Sequence, residues 1–427
     1  MVHAFIDKST FVNRRMERRF RLMKLNQQVR LYPNKTMKRV LDSLCDYRRY
    51  CWNEAIACWN NQYEARLIGI PEDILNKLRR KTGDLTDEEQ FLVNQYPSPS
   101  HYSVQNELVA QKEDWQYAHS SRVLQQAVKD LAHAWDFFFK HQDTAGKPTF
   151  KTRKAPKQGF KTDRARIHHG RLLLDKPHGY RGQWKTIRFK GVSIPDGKLT
   201  LCSVTRINGR YIATFTIEVE PNPSPRTGQK TAVDANVDHF DTTEGQTSLK
   251  PEVLNPLYAR VRHYQRILAR KRHRNPRAIH SKGYQVTRTK LQRTYERITN
   301  IQKDLLHKFT TSLYQQFDTI VIEDLDVKKM QMSKRAKNLH RSLLGQFRQM
   351  MEYKSQKFGK TLIIADRFYP STQRCSTCGF IKTGDDKITL SGNSKHGTGH
   401  NEYICYHCGY EDDRDHNAVL NLLALAE

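Results

Sequence analysis

Residues 405–423 read CYHCGYEDDRDHNAVLNLL and join a Cys-x-x-Cys-Gly turn to the start of an amphipathic helix. A matching turn, CSTCG, lies upstream at residues 375–379. Zinc prefers four soft ligands in a tetrahedron, and each Cys-x-x-Cys turn can point two thiolates at one ion. The glycine after each second cysteine permits the tight turn this requires. We therefore predict one zinc ion bound by Cys375, Cys378, Cys405 and Cys408.

The rival interpretation of a Cys-x-x-Cys element is a thioredoxin-like redox pair. That interpretation needs only one such element, whereas this chain has two matched ones. Four thiolates leave no open position for a substrate, so the ion is predicted to be structural. His396, His400 and His407 lie nearby and are expected to face solvent or nucleic acid, with replacement of one cysteine ligand as the open alternative. The other cysteines, Cys45, Cys51, Cys58 and Cys202, are expected to be inert buried thiols.

Three carboxylates stand where an α/β fold could bring them together. Asp234 ends the short strand TAVD, Glu323 ends the strand TIVIE, and Asp415 lies at the start of the last helix. Phosphodiester hydrolysis by two Mg²⁺ ions needs several carboxylates around ions roughly 4 Å apart. Taken singly, each acid has another explanation, since an acid after a strand is commonly a turn residue and Asp412 or Asp413 could cap the helix. Spacing alone leaves both interpretations open.

The charge balance indicates a polyanionic partner. The 427 residues include 73 Lys and Arg against 44 Asp and Glu, a formal net charge of +29. Basic side chains that neutralise phosphates release counterions, which favours nucleic acid. A membrane surface would also attract such a chain, but no apolar run reaches the ~18 residues that span a bilayer. The N-terminus lacks a signal-peptide core, so we expect a location in the cytoplasm or nucleoid.

The hydrophobic pattern changes character along the chain. Residues 22–32 are predicted to form a strand, and Asn34 to cap a helix that follows. Residues 71–103 are predicted to be looser, and a second strong helix is expected over residues 120–141. Two alternating strands flank Asn208-Gly209, which is typical of a hairpin with a type I′ turn.

A domain boundary is predicted at the Pro-rich segment 221–228. Beyond it, strands and helices alternate, which indicates an α/β domain. A long basic helical stretch follows Leu257, and only one acid, Glu296, lies between Arg260 and Arg297. Upstream of the boundary, residues 147–161 are also basic and dotted with aromatic residues.

Several motifs resemble one family in family order. They are DTIVIEDL, EYKSQKFGKTLIIADRFYPSTQRCSTCG, the second Cys-x-x-Cys-Gly and DRDHNAVLNL, with VRLYPNKTMKRVLDSLCDYRRYCWNEAI at the front and VLQQAVKDLAHAWDFFFKH…GKPTFKTRK in the middle. Together they resemble TnpB, the RNA-guided nuclease family of bacterial insertion sequences, related to compact type V CRISPR effectors. The resemblance spans most of the chain.

The resemblance implies an α/β plus β fold class. A RuvC-type, RNase H-like nuclease domain would occupy residues 230–427, with an inserted zinc ribbon at about 370–412. A β-barrel-like wedge domain would comprise residues 1–33 and 146–229, interrupted by a helical recognition domain at 34–145.

The resemblance also implies an activity, a metal-dependent endonuclease that cuts double-stranded DNA beside a short flanking motif. Asp234, Glu323 and Asp415 match the family's catalytic acids and would bind two Mg²⁺ ions. A guide RNA from the transposon end would pair with the target strand, as guide-directed effectors divide the labour in general. The basic segments would hold RNA and heteroduplex phosphates. A prokaryotic, nucleoid-associated protein is expected, with a transposase encoded nearby as a further partner.

Two departures from the family pattern are visible. The family usually has Gly two residues after the first catalytic acid, and this chain has Asn236. Asn is also tolerant of positive φ, so the turn can survive, although a side chain there could crowd the metal. The second departure is the long stretch 382–403 between the two cysteine turns, expected to be a surface insertion.

Three functions therefore stand after the sequence analysis. The first is an active RNA-guided DNA endonuclease, which the presence of all three acids favours. The second is a nuclease-silent, RNA-guided DNA-binding protein or repressor, for which only Asn236 argues. The third is a guide-independent transposase, which the wedge-like N-terminal half and the ribbon fit poorly.

Overall fold

The computed structural model describes residues 22–80, 83–190, 193–236, 239–248, 252–325, 344–389 and 391–426. The chain forms two compact units, one of residues 24–219 and one that begins at Glu220. Residues 1–21, which belong to the predicted first part of the wedge domain, lie outside the described residues. In the described part of the chain, no helix is both long and apolar enough to cross a lipid bilayer.

The unit of residues 24–219 combines one sheet with a group of helices. Its elements in chain order are β1 (Met23–Tyr32), α1 (Lys35–Gly69), α2 (Glu72–Arg80), α3 (Asp87–Gln95), α4 (His101–Ala110), α5 (Ser121–Lys140), β2 (Lys157–Thr162), β3 (Arg166–His168), β4 (Arg171–Leu173), β5 (Ile187–Lys190), β6 (Lys198–Ile207) and β7 (Arg210–Val219), with a 3₁₀ turn at Asp114–Ala118.

The sheet of this unit has the order β2-β6-β7-β1-β5-β4-β3. Strand β1 pairs antiparallel with β5, so the start of the described chain shares a sheet with the segment after α5. All five helices lie between β1 and β2 in sequence. This arrangement favours a β-rich wedge interrupted by a helical region, but the wedge and recognition roles stay predictions.

The two long helices begin where the sequence predicts. Asn34 accepts a hydrogen bond from the Met37 amide at 2.8 Å, and Ser120 caps α5 through the Arg122 amide. Each cap satisfies a backbone donor that has no partner inside the helix. The two helices pack together, with the rings of Trp59 and Trp135 stacked at 6.0 Å. Both helices bury an apolar face, which includes Leu44 and Ile56 on α1 and Leu131 on α5.

The prediction of a looser segment at 71–103 is wrong, because α2, α3 and the start of α4 occupy it. Pro71 lies just before α2, and Pro97 and Pro99 lie between α3 and α4, so none of them interrupts a helix. Capping boxes start α3 at Thr86 and α4 at Ser100, so short helices form despite weak periodicity. The prolines mark helix boundaries, whereas the sequence analysis interpreted them as a sign of looser structure throughout the segment.

The predicted hairpin is present. Strands β6 and β7 pair antiparallel, with Ile207 opposite Arg210. Asn208 and Gly209 have φ values of 50° and 72°, which a type I′ turn requires at both central positions. The Asn208-Gly209 turn therefore sets the register with which β6 and β7 pair beside it.

The unit that begins at Glu220 contains a second sheet, more helices and a small two-stranded ribbon. Its elements are β8 (Lys230–Ala235), β9 (His239–Thr242), β10 (Gly245–Ser248), α6 (Asn255–Arg274), α7 (Lys282–Gln316), β11 (Thr319–Glu323), α8 (Leu344–Phe358), β12 (Thr361–Ala365), β13 (Glu402–Ile404), β14 (Glu411–Asp413) and α9 (Arg414–Leu423), with 3₁₀ turns at Glu252–Leu254, Pro276–His280, Gly384–Asp386, Ser394–His396 and Ala424–Ala426.

The second sheet has the order β10-β9-β8-β11-β12. Strands β8, β11 and β12 are parallel, whereas β9 runs antiparallel to β8 and β10 antiparallel to β9. Three meandering strands followed by two parallel ones, in the order 3-2-1-4-5, make up the RNase H-like topology. The predicted fold class, α/β plus β with this domain at the C-terminal end, is confirmed.

Both faces of this sheet are covered, because side chains along a strand alternate between faces. One face packs against α7 and α8 through a cluster that includes Val233, Ile320, Ile322, Leu306, Leu313, Phe347 and Met351. The other face packs against α9 through Ala232, Val321, Val419 and Leu422. The strands are therefore apolar on both sides, as parallel strands of α/β domains are.

The Pro-rich segment 221–228 is fastened to this second unit. The backbone amides of Thr227 and Gly228 donate to the carboxylate of Asp318, at 2.9 and 2.7 Å to Oδ2. The buried Lys360 side chain donates to the same carboxylate and to the Pro225 carbonyl. These bonds hold the pKa of Asp318 well below its usual range, with Lys360 as the largest cause. The segment enters β8 from a fixed position.

We predict that the scattered cysteines resist alkylation in the native protein. Burial raises the pKa of Cys45, Cys51, Cys58 and Cys202 to about 12. At pH 8 such a thiol is ionised about once in 10⁴ molecules, and the thiolate is the reactive form. Iodoacetamide labelling followed by peptide mass spectrometry should find these residues unmodified.

The same labelling in guanidinium chloride is the control, since unfolding returns the thiols to a pKa near 8.5. All of them should then react. Rapid modification of any of the four cysteines in the native protein would contradict the buried packing described above.

Candidate functional site

The three predicted acids converge at one edge of the second sheet. Strands β8 and β11 are parallel neighbours, with Val233 opposite Ile322. Asp234 and Glu323 each come next after these paired residues, so both lie at the carboxyl edge. Asp415 reaches the same place from the first turn of α9, which packs on β8 and β11. The structure therefore brings together residues that are far apart in sequence.

Burial and like charge dominate the electrostatics of this edge. Asp234 is only 6% exposed. Its burial, followed by the charges of Glu323, Asp415 and Asp241, raises its pKa well above the usual range. Burial also raises the pKa of Glu323. Buried carboxylates that raise one another's pKa favour binding of a cation, because a divalent ion offsets their mutual repulsion.

Glu323 and Asp415 each accept a hydrogen bond from a neighbouring side chain. The Ser371 hydroxyl donates to Glu323 Oε1 at 2.6 Å, and this bond opposes the rise in the Glu323 pKa. The Arg414 guanidinium donates to Asp415 Oδ1 from Nε at 3.2 Å and from a terminal nitrogen at 3.0 Å. One oxygen of each acid is thus fixed in orientation.

Asn236 lies among the acids. Its side-chain nitrogen is 3.3 Å from Asp234 Oδ2, 3.1 Å from Asp241 Oδ2 and 3.2 Å from Asp415 Oδ2. The residue that departs from the family pattern is therefore a hydrogen-bond donor to this group of carboxylates. It does not displace any of the predicted acids.

Asp241 is a member of the site that sequence reasoning missed. It lies on β9 directly opposite Asp234 and is 9% exposed. Gln246 donates to its Oδ1 at 3.2 Å. His239, two residues earlier on the same strand face, has Nε2 at 3.1 Å from Asp241 Oδ2 and 3.7 Å from Asp415 Oδ2. The available sequence signal was the polar-apolar-polar alternation of HFD, which predicts a strand with His239 and Asp241 on one face.

Of the two acids left open above as helix caps, Asp413 has that role. Asp413 is the N-cap of α9 and accepts from the Asp415 and His416 amides at 2.8 and 3.1 Å. Asp412 accepts from the Tyr410 hydroxyl and pairs with His416. Asp413 thereby caps the helix that carries Asp415, and Asp412 holds the His416 side chain of its first turn.

The four predicted cysteines form one cluster. Their sulfur atoms all lie within 4.8 Å of one another, with Cys375–Cys408 at 3.7 Å and Cys378–Cys405 at 3.6 Å. All four are free thiols, and their spacing suits a tetrahedral metal ion. The candidate metal group in this part of the described chain consists of cysteines alone, so the alternative of a histidine ligand is not supported.

The two cysteine turns have the same backbone geometry. Gly379 and Gly409 both have a φ of 76°, a left-handed conformation that favours glycine. Their amides donate to the carbonyls of Cys375 and Cys405 at 2.9 and 3.0 Å. The predicted role of the glycines in these turns is confirmed.

A buried lysine lies beside the cysteine cluster. Lys382 is fully buried, donates to the Ile404 carbonyl, and lies 4.3 and 3.8 Å from the ring centroids of Tyr403 and Tyr406. Burial lowers the pKa of Lys382, and the nearby cysteines Cys405 and Cys375 oppose this shift. Lys382, the first residue of the insertion 382–403, thus lies where a cation would offset negative charge on the sulfur atoms.

The segment that carries the four cysteines, called the cysteine module below, is hydrogen-bonded directly to α9. Asn417 is fully buried, accepts from the Ser376 amide at 3.0 Å and donates to the Arg374 carbonyl at 2.8 Å. Asn421, one turn later, donates to the Ser371 carbonyl at 2.9 Å. The first cysteine turn therefore holds the helix that presents Asp415, and Ser371 connects it to Glu323.

We predict that Asn417→Ala weakens this connection. The substitution leaves the Ser376 amide without its acceptor, and an unsatisfied buried donor costs about 1–3 kcal/mol. Amide hydrogen exchange in residues 371–379 and in α9 should accelerate by the factor that this loss of free energy implies. Asn401→Ala is the matched control, because its side chain is exposed in the same module. Equal exchange in both variants would contradict a bracing role for Asn417.

Three family models match different parts of the chain. The model described as "Cas12f1-like, TNB domain" matches residues 345–422, and the one described as "Probable transposase" matches residues 214–334. A model described as "Helix-turn-helix domain" matches residues 23–67. In the structure that last segment is strand β1 followed by a single continuous helix.

The chain is also similar to curated proteins over most of its length. A "Putative RNA-guided DNA endonuclease" of Streptomyces pristinaespiralis is 30% identical over 310 residues, which cover 71% of this chain and 71% of that protein. The "Putative RNA-guided DNA endonuclease InsQ" of Escherichia coli K12 is 27% identical over 338 residues, covering 74% and 77%.

Among solved structures, a cryo-EM complex of Cas12f1 with single-guide RNA and target DNA aligns with a TM-score of 0.48 at 13% identity, over 94% of this chain and 99% of that one. A likeness at that level supports no functional conclusion. The sequence similarity to the curated relatives and the two C-terminal family models are sufficient: the chain belongs to the TnpB family.

Proposed function

We propose that this protein is an RNA-guided endonuclease that cuts double-stranded DNA beside a short flanking motif. The observation that carries the proposal is the convergence of Asp234, Glu323 and Asp415 at one buried edge of an RNase H-like sheet. The printed names of the curated relatives, which describe RNA-guided DNA endonucleases, support the same activity.

The donor set at this edge fits magnesium. Carboxylate oxygens are the hard ligands that Mg²⁺ prefers, and Asp234, Glu323 and Asp415 would hold it. Two bound Mg²⁺ ions would supply activation of a water molecule and stabilisation of the leaving oxygen. The raised pKa of Asp234 and of Glu323 expresses the same preference, since a nearby cation favours their ionised forms.

The protein's own residues orient this site. Ser371 holds one oxygen of Glu323, and Arg414 holds one oxygen of Asp415, so the second oxygen of each acid is left for a bound ion. Because both donors are attached to elements next to the cysteine module, the acids are positioned before substrate arrives. Preorganised groups of this kind lower the cost of reaching the transition state.

Basic side chains supply the expected nucleic-acid surface. On α6 and just beyond it, exposed arginines occur at 262, 266, 270, 272, 274 and 277. In the other unit, the basic segment exposes Lys147, Arg153, Lys154 and Lys157. Phosphate contacts from such side chains are independent of sequence, so they suit the backbone of a guide–target heteroduplex. The guide RNA would derive from the transposon end.

The cysteine cluster is proposed to bind one structural zinc ion. Four thiolates at these separations match its tetrahedral preference, and they leave no ligand position for substrate. Through Asn417 and Asn421 the zinc module would brace α9 and therefore Asp415.

The competing proposal is an RNA-guided DNA-binding protein with a silent nuclease. Asn236 favours it to the extent that its amide lies among the carboxylates. Loss of an acid would be the expected mark of a silent nuclease, and all three predicted acids are present. Endonuclease activity is therefore the better-supported proposal.

The first test is cleavage. Full-length protein purified with the RNA from its own flanking region should cut a matched duplex in Mg²⁺, and Asp234→Ala should lower the rate on the order of 10³-fold or more. Asp304→Ala is the matched control, because it removes an exposed acid from α7. Guide-dependent gel shifts with no cleavage by the wild type would instead support the silent binder.

The second test separates the zinc module from guide binding. Cys405→Ser should remove stoichiometric zinc, measured by elemental analysis, and reduce cleavage at least about tenfold more than guide RNA affinity, since Asp415 loses its support. Cys202→Ala, a buried thiol of the other unit, is the control. An equal loss of cleavage and RNA binding would mean that the module supports the whole fold.

A further inference from the structure

We propose that His239 and Asp241 add a metal-ion position to the carboxylate site, shared with Asp415, that selects a divalent transition-metal ion over Mg²⁺. The inference deepens the proposed nuclease function and rests on it for its biological meaning. The metal position itself is argued from the geometry of these residues and is tested without DNA.

Strand pairing places the two residues. His239 and Asp241 are separated by two positions on β9, so their side chains share a face. Asp241 is paired across the ladder with Asp234 of β8. Like charges directly opposite on neighbouring strands are destabilising, and both acids are nearly buried. A cation between them would relieve this repulsion.

The distances suit a bound ion. His239, Asp241 and Asp415 offer ligand atoms that all lie within 4.8 Å of one another. His239 Nε2 is 3.1 Å from Asp241 Oδ2 and 3.7 Å from Asp415 Oδ2. Ligands about 2.1 Å from an octahedral ion lie about 3 to 4.2 Å apart, so small adjustments would satisfy the coordination.

The surrounding donors direct the ligand atoms inward. Gln246 donates to Asp241 Oδ1, and Arg414 donates to Asp415 Oδ1. The Oδ2 atoms of both acids therefore face His239 and Asn236. Anchoring one oxygen of a carboxylate while the other faces the ion is the usual arrangement around metal ligands.

The side-chain amide of Asn236 lies among three carboxylates. Its nitrogen lies 3.1 to 3.3 Å from the Oδ2 atoms of Asp234, Asp241 and Asp415. An amide nitrogen carries two N–H bonds, so it cannot give each of three oxygens a full hydrogen bond. A divalent cation can contact all three at once.

The ligand chemistry sets the metal preference. An imidazole nitrogen with two carboxylates suits first-row transition metals, whereas Mg²⁺ favours oxygen ligands and retained water. Mn²⁺ is the suitable probe because it accepts both ligand types and is paramagnetic. The site would thus combine oxygen-only coordination near Glu323 with mixed coordination near His239.

The test is Mn²⁺ titration of the full-length, zinc-loaded protein, with free Mn²⁺ measured by electron paramagnetic resonance at a fixed excess of Mg²⁺. Asp241→Asn and His239→Gln should each weaken Mn²⁺ binding at least about tenfold. Asp304→Asn, which removes an exposed charge from α7, should bind as the wild type does. Thermal denaturation without added divalent ions checks that each variant folds.

Unchanged Mn²⁺ affinity in folded Asp241→Asn and His239→Gln proteins would overturn the inference. So would equal weakening by Asp304→Asn, because net charge would then explain the effect. The proposed function fails separately: wild-type protein that binds Mn²⁺ as expected but cuts no guide-matched DNA would leave the metal position standing and remove the nuclease proposal.

Discussion

The packing of α9 against the central strands is the constraint on which the carboxylate site depends. Val419 and Leu422 lie against Ala232 of β8 and Val321 of β11. This apolar contact places the start of α9 beside the edge where both strands end. Asp415, in the first turn of α9, therefore lies at that edge. The same burial removes water from Asp234 and raises its pKa, so the packing that builds the site also generates its charge repulsion.

The structure offsets that repulsion with donors attached to neighbouring elements. Ser371 donates a hydrogen bond to Glu323, Arg414 donates to Asp415, and Gln246 donates to Asp241. The cysteine module adds rigidity, because Asn417 connects its first turn to α9 through two hydrogen bonds. A metal ion bound by the four cysteines would therefore act on the position of Asp415 through these hydrogen bonds.

The parts of the fold that sequence reasoning predicted well have local causes. The cysteine turns, the Asn208-Gly209 hairpin and the cap at Asn34 depend on residues close in sequence. The helices in 71–103 were missed because each has only nine or ten residues, and the prolines beside them were given more weight than so short a pattern. Asp241 was missed because its role depends on pairing with β8, and no property of HFDTT alone reports which strand lies opposite. The three acids were found through motif resemblance, since spacing left them undecided.

Asn236 and Asp241 have to be interpreted together. A hydrogen bond to a charged group contributes about 1.5–3 kcal/mol, and the Asn236 amide has two N–H bonds for three carboxylates. Full charges interact more strongly than a neutral dipole does, so a divalent cation competes well with this amide for the same oxygens. Rotation of the side chain would then present its carbonyl oxygen, an acceptor, toward the ion. Asn236 is thus better understood as an exchangeable donor that stabilises an extra buried acid than as an obstruction. Asn236 therefore provides Asp241 with a hydrogen-bond donor that a glycine at 236 would lack.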